Sequence, residues 1–407
     1  MEFPSTSMRP DIASSPTESN EPAIELVFLG TGTSSSTPHV DCLTADFTTR
    51  PPCKTCLSTL TPDGKKNIRR NTGAVVRTKA KDGRSVTVVI DAGKTFQAAA
   101  VEWFPKFGLR RIDALLITHA HADAINGLDD LRGWTLNKAI QSHIDVYLSQ
   151  ETFIELQRSF PYLISKEFAS GGGDVPAFRY HIINDGEPFE IEDTGINVTP
   201  FAVHHGRIFS RLPPAGYVIT PTATLPSTPN KSDIRALSPE PGEQKFGECV
   251  AKEQPEATIH PLLCFGFKIQ EQLVYISDVS HIPDHVWGTL QSKRGDSAQQ
   301  LPVLVLDCLR LRPFISHLGI ADALMIAKKI GATKTYLTGF SHEVTHEEYV
   351  TITEAIGGKL KNKNDLTESE KTGLELVQGG GQIWVRPAHD GLRLIINKDG
   401  SVYDESY

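Results

Sequence analysis

The run Thr118-His119-Ala120-His121-Ala122-Asp123-Ala124 directly follows an apolar stretch at 113–118. In an extended chain alternate side chains share a face, so positions 119, 121 and 123 can converge on one point. Two neutral imidazoles and a carboxylate suit a borderline cation such as zinc, manganese or iron. The small alanines leave room for the ion, and Asn126-Gly127-Leu128 permits a sharp turn into a helix. A bound ion of this kind acidifies water to a pKa of about 7 and polarises an acyl or phosphoryl oxygen, which is the chemistry of a hydrolase. Taken alone, the two histidines are as readily explained as ordinary polar residues, because motifs this short recur by chance.

Two later segments change that balance. Val198-Thr199-Pro200-Phe201-Ala202-Val203-His204-His205-Gly206 reads as a strand ending in histidine, and Leu273-Val274-Tyr275-Ile276-Ser277-Asp278 as a strand ending in aspartate. Three separate strands then end in metal-ligand residue types. A satisfied core histidine accounts for one such case but not for the set.

A second cluster is cysteine-based. Cys53-Lys54-Thr55-Cys56 is a CxxC pair, preceded by Cys42. Thiolates so spaced can grip one tetrahedral zinc at about 2.3 Å per Zn–S bond, with Cys42 as third ligand and a distant histidine as fourth. A redox role would need a thioredoxin-like βαβ context, which is not evident. The plain alternative is three reduced, buried thiols. Cys249, Cys264 and Cys308 are expected to have no chemical role.

In chain order, Leu29-Gly30-Thr31-Gly32-Thr33, Ile90-Asp91-Ala92-Gly93, the HxHxD segment, Tyr275-Ile276-Ser277-Asp278, Leu306-Asp307-Cys308, His317, Ser341-His342 and Pro387-Ala388-His389-Asp390-Gly391 resemble the metallo-β-lactamase superfamily. The branch most resembled contains the phosphoribosyl cyclic phosphate phosphodiesterase of phosphonate degradation. The tRNA 3′-processing endonucleases are more distant. The resemblance covers most of residues 24–395 and implies an α/β fold, the four-layer αββα sandwich. It also implies that His119, His121 and His205 hold a first ion and that Asp278 bridges toward a second, with Asp123. His317 would protonate a leaving alkoxide or bind phosphate, so His317 and Asp123 are the expected catalytic residues. Cys42, Cys53, Cys56 and His342 would bind a structural zinc.

The sequence departs from this pattern in three places. Ala124 and Gly339 stand where the family has histidines, both of the second ion's site, which implies one tightly held ion at the active centre. Ten residues separate Cys42 from Cys53, where the family has one, although an inserted Pro51-Pro52 loop would still let the thiols meet. Asp129 and Asp130 are read as surface acids rather than substitute ligands. The expected cofactor is zinc, with manganese as the harder alternative at the active site.

These side chains need rigid elements behind them. Strands are predicted at 24–29, 72–78, 86–90, 113–118, 144–148, 196–203, 214–219, 264–269, 272–277, 302–306 and 334–338. Helices are predicted at 94–106, 126–137, 151–158, 283–291, 318–330 and 345–355. Strands and helices interleave through both halves, which suits a layered α/β architecture. Residues 23–395 are therefore read as one hydrolase domain between a disordered tail at 1–22 and a C-terminal tail at 396–407. Two segments lack apolar periodicity and are read as insertions, a loose one at 221–260 and a smaller one at 359–378.

Composition sets the outer bounds. A net charge of −8 over 407 residues gives no strong nucleic-acid signature, because phosphate contacts need clustered Lys and Arg. No apolar run is long enough to span a membrane. The first 22 residues lack the apolar core of a secretory signal, and six cysteines are too few for a disulfide scaffold. A reducing compartment follows, cytoplasmic or nuclear. The expected function is hydrolysis of a phosphodiester by metal-activated water, on a small-molecule or nucleotide-derived substrate. The alternatives are an ester, thioester or lactone hydrolase, and a metal-binding regulatory protein with weakened turnover.

Overall fold

The computed structural model describes residues 22–171, 173–210, 258–291, 300–359, 365–378 and 381–407. Its strands are β1 (Pro22–Gly30), β2 (Gly73–Lys79), β3 (Ser85–Ile90), β4 (Ala114–Leu116), β5 (Ile144–Leu148), β6 (Phe178–Ile182), β7 (Phe189–Ile191), β8 (Ile196–Ser210) and β9 (Thr258–Ile269). They continue with β10 (Leu273–Ile276), β11 (Val303–Asp307), β12 (Lys334–Thr338), β13 (Val385–Pro387), β14 (Arg393–Asn397) and β15 (Val402–Asp404). Two sheets result, ordered β15-β14-β1-β2-β3-β4-β5-β6 and β13-β12-β11-β10-β9-β8-β7.

Alternation along β1 shows how the layers form. Leu26 and Phe28 join a core shared with Tyr275, Val303 and Val305 of the other sheet. Val27 and Leu29 point the opposite way, into a core with Phe96, Ala99 and Trp103 of the helix Phe96–Lys106. A third core fills the outer face of the second sheet, where Ile276, Leu304 and Leu306 meet Ile320, Leu324 and Tyr349 from the helices Ile320–Ile330 and His346–Ile356. Period-2 side chains thus give each sheet two apolar faces, and helices cover the outer ones. The four-layer αββα arrangement expected from the sequence is the one adopted.

Several expectations need correction. The helix predicted over 126–137 is broken into short turns at Ala122–Ile125, Leu128–Leu131 and Arg132–Thr135. A close backbone approach separates the first turn from the second, since a Cβ on Gly127 would lie 2.3 Å from the Gly93 carbonyl and one on Gly93 would lie 1.7 Å from that of Asp123, and Asn137 and Lys138 turn to positive φ, +51° and +56°, past the third. Residues 396–407, expected as a tail, end β14 and form β15, where Leu394 registers with Asp404 and Ile396 with Val402. Asp404 is buried there and accepts from Lys334 Nζ and Tyr336 Oη, both at 2.8 Å. Part of the smaller insertion, Glu368–Leu376, is a helix opened by a Thr367–Glu370 capping box. The expected strand at 214–219 and nearly all of the loose 221–260 segment lie outside the described residues, as do 1–21. Residues 258–260, the end of that segment, begin β9.

Candidate metal centre

The centre lies where parallel strands end. β3 runs parallel to β4, and β10, β11 and β12 run parallel to one another. Past their C-terminal ends come Asp91 after β3, His119 after β4 and Asp278 after β10, while Asp307 closes β11. Crevices at these ends are where open α/β sheets place ligands. Asp91 and Asp278 both adopt positive φ, +60° and +57°, an uncommon conformation for a residue with a Cβ. Each carboxylate is thereby turned inward.

His119, His121, His205 and Asp278 bring one ligand atom apiece to within 4.8 Å of one another. His205 Nε2 lies 3.1 Å from His121 Nδ1, and Asp278 Oδ2 lies 3.5 Å from Nε2 of both His119 and His205. A tetrahedral zinc with bonds of about 2.0–2.1 Å spaces its ligands about 3.4 Å apart, so the donors present fit such an ion. His204 does not join them. Along β8 it faces the other way, with its ring 5.2 Å from that of His281, and burial lowers its pKa to about 4.

Hydrogen bonds behind the cluster fix which nitrogens carry protons. Thr118 Oγ1 donates to Asp91 Oδ2 and lies 2.8 Å from His119 Nδ1, which must therefore donate to it. His119 Nε2 is left with its lone pair, buried and without a hydrogen-bond partner among the described residues. His205 Nδ1 donates to the Ser316 carbonyl at 2.9 Å, so its Nε2 likewise keeps a lone pair for the cluster. Such outer partners set tautomer and ring orientation in metal sites. Burial holds His119 well below its ordinary pKa, with His205, His121 and His317 adding to the effect. His121 is lowered by burial and by His205. Burial raises Asp278 to about 6, as do the carboxylates of Asp123 and Asp307, against the pull of His205 and His317. Imidazoles of His119 and His121 disfavoured as cations by burial, beside the buried carboxylate of Asp278, form a cavity suited to a metal ion.

Asp123 falls outside this group of four. It is buried, Ser34 Oγ donates to its Oδ2 at 2.9 Å, and its Oδ1 has no hydrogen-bond partner among the described residues. His317 Nδ1 lies 3.2 Å from each oxygen of Asp307, and its ring lies 4.8 Å from that of His205. Burial would lower the His317 pKa, but Asp307, Asp278 and Asp123 together carry it up to about 9.

The two positions where the resemblance expects a histidine are both closely surrounded. Ala124 is 1% exposed, inside the apolar core under the first sheet. Gly339 has a φ of +78°, and a Cβ there would lie 2.5 Å from Asp307 Oδ1. Asp129 pairs with Arg132 and Asp130 is exposed, as surface acids do.

The cysteine cluster also comes together. His342 Nδ1 lies 3.3, 3.5 and 3.4 Å from the sulfurs of Cys42, Cys53 and Cys56. Tetrahedral zinc with three thiolates and one imidazole implies about 3.6 Å for these spacings. Cys42 sits on the short helix Val40–Leu43, and Cys53 caps Lys54–Ser58, so the ten residues between them return the chain to the same point. His39 stacks on His342 with ring centroids 3.8 Å apart. Burial pushes the Cys56 thiol up to about 12 and also raises Cys42. Cys264 is buried with its sulfur 3.6 Å from His119 Nδ1, while Cys308 packs in the third core. Cys249 lies outside the described residues.

Asp91, Thr118, Asp307 and Ser316 are the parts of the centre to which sequence reasoning gave no role. Asp91 and Asp307 carry the same signal as Asp278, an apolar strand ending in aspartate. Thr118 and Ser316 carry none, because their function is to hold another residue's nitrogen.

Residues 86–226 match the β-lactamase superfamily domain. Over 199 residues the chain is 28% identical to an octanoyltransferase of Porphyromonas gingivalis (strain ATCC BAA-308 / W83), a stretch equal to 49% of this chain and 34% of that protein. The chain thus spans about a third of the length of that curated relative. Among solved structures it is similar to a diphosphatase from the PhnP family, with 23% identity and a TM-score of 0.55, over 91% of this chain and 97% of that one. The metallo-β-lactamase fold protein YhfI from Bacillus subtilis aligns at 11% identity and a TM-score of 0.48, over 94% and 99% of the two chains.

Proposed function

We propose that this chain, which has the metallo-β-lactamase fold and carries a β-lactamase superfamily domain, is a metal-dependent phosphodiesterase. His119, His121, His205 and Asp278 would hold one divalent ion, zinc or manganese. When bound, such an ion supplies a Lewis acid and an acidified water. Thr118 and Ser316 keep the ligand nitrogens unprotonated and aimed inward.

The observation that carries the choice of reaction is the Asp307–His317 pair beside this cluster. Asp307 accepts from His317 Nδ1, which leaves Nε2 as the proton-bearing atom free to act. The carboxylates of Asp307, Asp278 and Asp123 around this histidine favour its cationic form. It complements a phosphoryl dianion-like transition state and can hand its proton to a departing alkoxide. Asp123, anchored by Ser34, adds negative charge that favours this protonated form. Cys42, Cys53, Cys56 and His342 would hold a zinc whose role is structural.

Metal-loaded protein should cleave bis-p-nitrophenyl phosphate, and His317→Ala should lose most of that activity. Turnover of an aryl acetate without the phosphodiester would replace this reading with that of an acyl-ester hydrolase. Full metal content with turnover of neither would make the chain a metal-binding regulatory protein.

A further inference from the structure

The loop between β11 and the helix Ile320–Ile330 delivers His317 to the centre and carries a ring three residues earlier. Phe314 N–H donates to the His317 carbonyl at 3.0 Å, and His317 N–H returns a bond of 3.3 Å to the Phe314 carbonyl, closing an antiparallel bridge. Residues directly opposed in such a pair present their side chains on the same face, with Cα atoms about 5.5 Å apart. Phe314 and His317 therefore send their side chains off one face of this bridge.

Phe314 and its neighbour Ile315 are each 50% exposed. The Arg310 guanidinium lies 5.1 Å from the Phe314 ring centroid, and Glu343 holds it there through a 3.1 Å ion pair. Arg310 Nε has no hydrogen-bond partner among the described residues, and Arg312 is exposed on the same loop. The platform is tied to the centre at two points. The Ser316 carbonyl accepts from His205 Nδ1, and Leu318 N–H donates to Asp307 Oδ2 at 3.1 Å.

We propose that Phe314, backed by Arg310, is the specificity platform of the site and stacks on the planar base of a nucleotide-derived phosphodiester. This rests on the phosphodiesterase reading. An aromatic face is a sequence-tolerant seat for a nucleobase, and an arginine beside it adds cation–π attraction. A purely apolar group would gain nothing from that cation.

The test compares two esters that share a leaving group, the p-nitrophenyl ester of thymidine 5′-phosphate and ethyl p-nitrophenyl phosphate, on the metal-loaded full chain. The parent protein prefers the nucleosidyl ester. In Phe314→Ala the ratio of the two kcat/KM values falls about tenfold, chiefly through KM for the nucleosidyl ester, as loss of one base stack predicts. Phe314→Trp keeps the ratio. A ratio cancels any general loss of folded enzyme, so a merely structural role would leave it within about twofold, and that result overturns the proposal. Equal retention by Phe314→Leu and Phe314→Trp also overturns it, because bulk alone would then suffice. So does a concentration-dependent dimer that Phe314→Ala abolishes. A parent that cleaves the ethyl ester without preferring the nucleosidyl one sinks the platform and leaves the phosphodiesterase reading standing. Cleavage of neither ester sinks both.

Discussion

Both carboxylate oxygens of Asp307 lie 3.2 Å from His317 Nδ1, and one of them also accepts the Leu318 N–H. A single fully buried side chain therefore orients the imidazole and pins the loop that carries it. Asp307 closes β11, so the strand that builds the second sheet also aims the proton-bearing group. On these contacts, His317→Ala should lower kcat by about a hundredfold or more, the usual contribution of a positioned acid. Asp307→Asn should lose less, about tenfold, because the amide keeps one hydrogen bond but not the charge. Steady-state kinetics on bis-p-nitrophenyl phosphate checks both, and an Asp307→Asn enzyme with full kcat would contradict the role given to the pair.

Metal analysis tests the two ligand sets separately. The parent should carry one ion at each cluster. His205→Ala should release the active-site ion and abolish turnover while the cysteine-bound ion stays, because the clusters share no residue. Loss of both ions from this one variant would mean that the clusters are not independent.

Cys56→Ser should behave in the opposite way. Cys56 is fully buried, and without its sulfur the second ion has only three protein ligands. One metal equivalent is lost, and the melting temperature falls by several degrees, at roughly 2–4 °C per kcal/mol for a large domain. Thermal unfolding followed by circular dichroism, alongside metal content, decides this. An unchanged melting temperature would reduce the cysteines to ordinary buried thiols.

Acid should destabilise the fold through histidines held neutral. Burial lowers His389 to about 4, only partly opposed by its bond to the Asp390 carbonyl, and holds His346 well below its usual value. His389 Nδ1 donates to that carbonyl, and its Nε2 lies 2.7 Å from Ser406 Oγ. The folded pKa lies below the unfolded value of about 6.5, so the stability these groups contribute is fully present above that pH. It is lost as pH falls from about 6.5 toward 4, where the unfolded chain binds more protons. The melting temperature should drop across this window, and His389→Gln should flatten the drop. A drop of the same steepness in that variant would assign the acid sensitivity elsewhere.

How much of this could be read in the sequence varied with the range of the interactions involved. β5 and β12 have the residue limits predicted from their apolar runs, because those strands are buried on both faces and need no distant information. β6, with the sequence FRYHI, carries too many polar residues to announce itself, and no residue of it is fully buried. β13, β14 and β15 owe their existence to partners elsewhere in the chain. The ligand histidines and Asp278 were legible because strand-end histidine and aspartate are chemically distinctive. The breaks at Gly93 and Gly127 were not, since a close approach of two backbones leaves no local pattern. Nor could Ser316 be found, as it contributes only a carbonyl.

Cys42 and His342 are 300 positions apart, with the first sheet's strands β2 to β6 and most of the second sheet between them. Until both sheets have docked, the cysteine arm has its three thiols and His39 but lacks the imidazole of His342. An ion captured there would join the two halves of the chain like a clasp fastened last. Uptake of that ion during refolding therefore reports on assembly rather than on catalysis. A protein starved of zinc as it folds should stall with its two halves formed and its seam open.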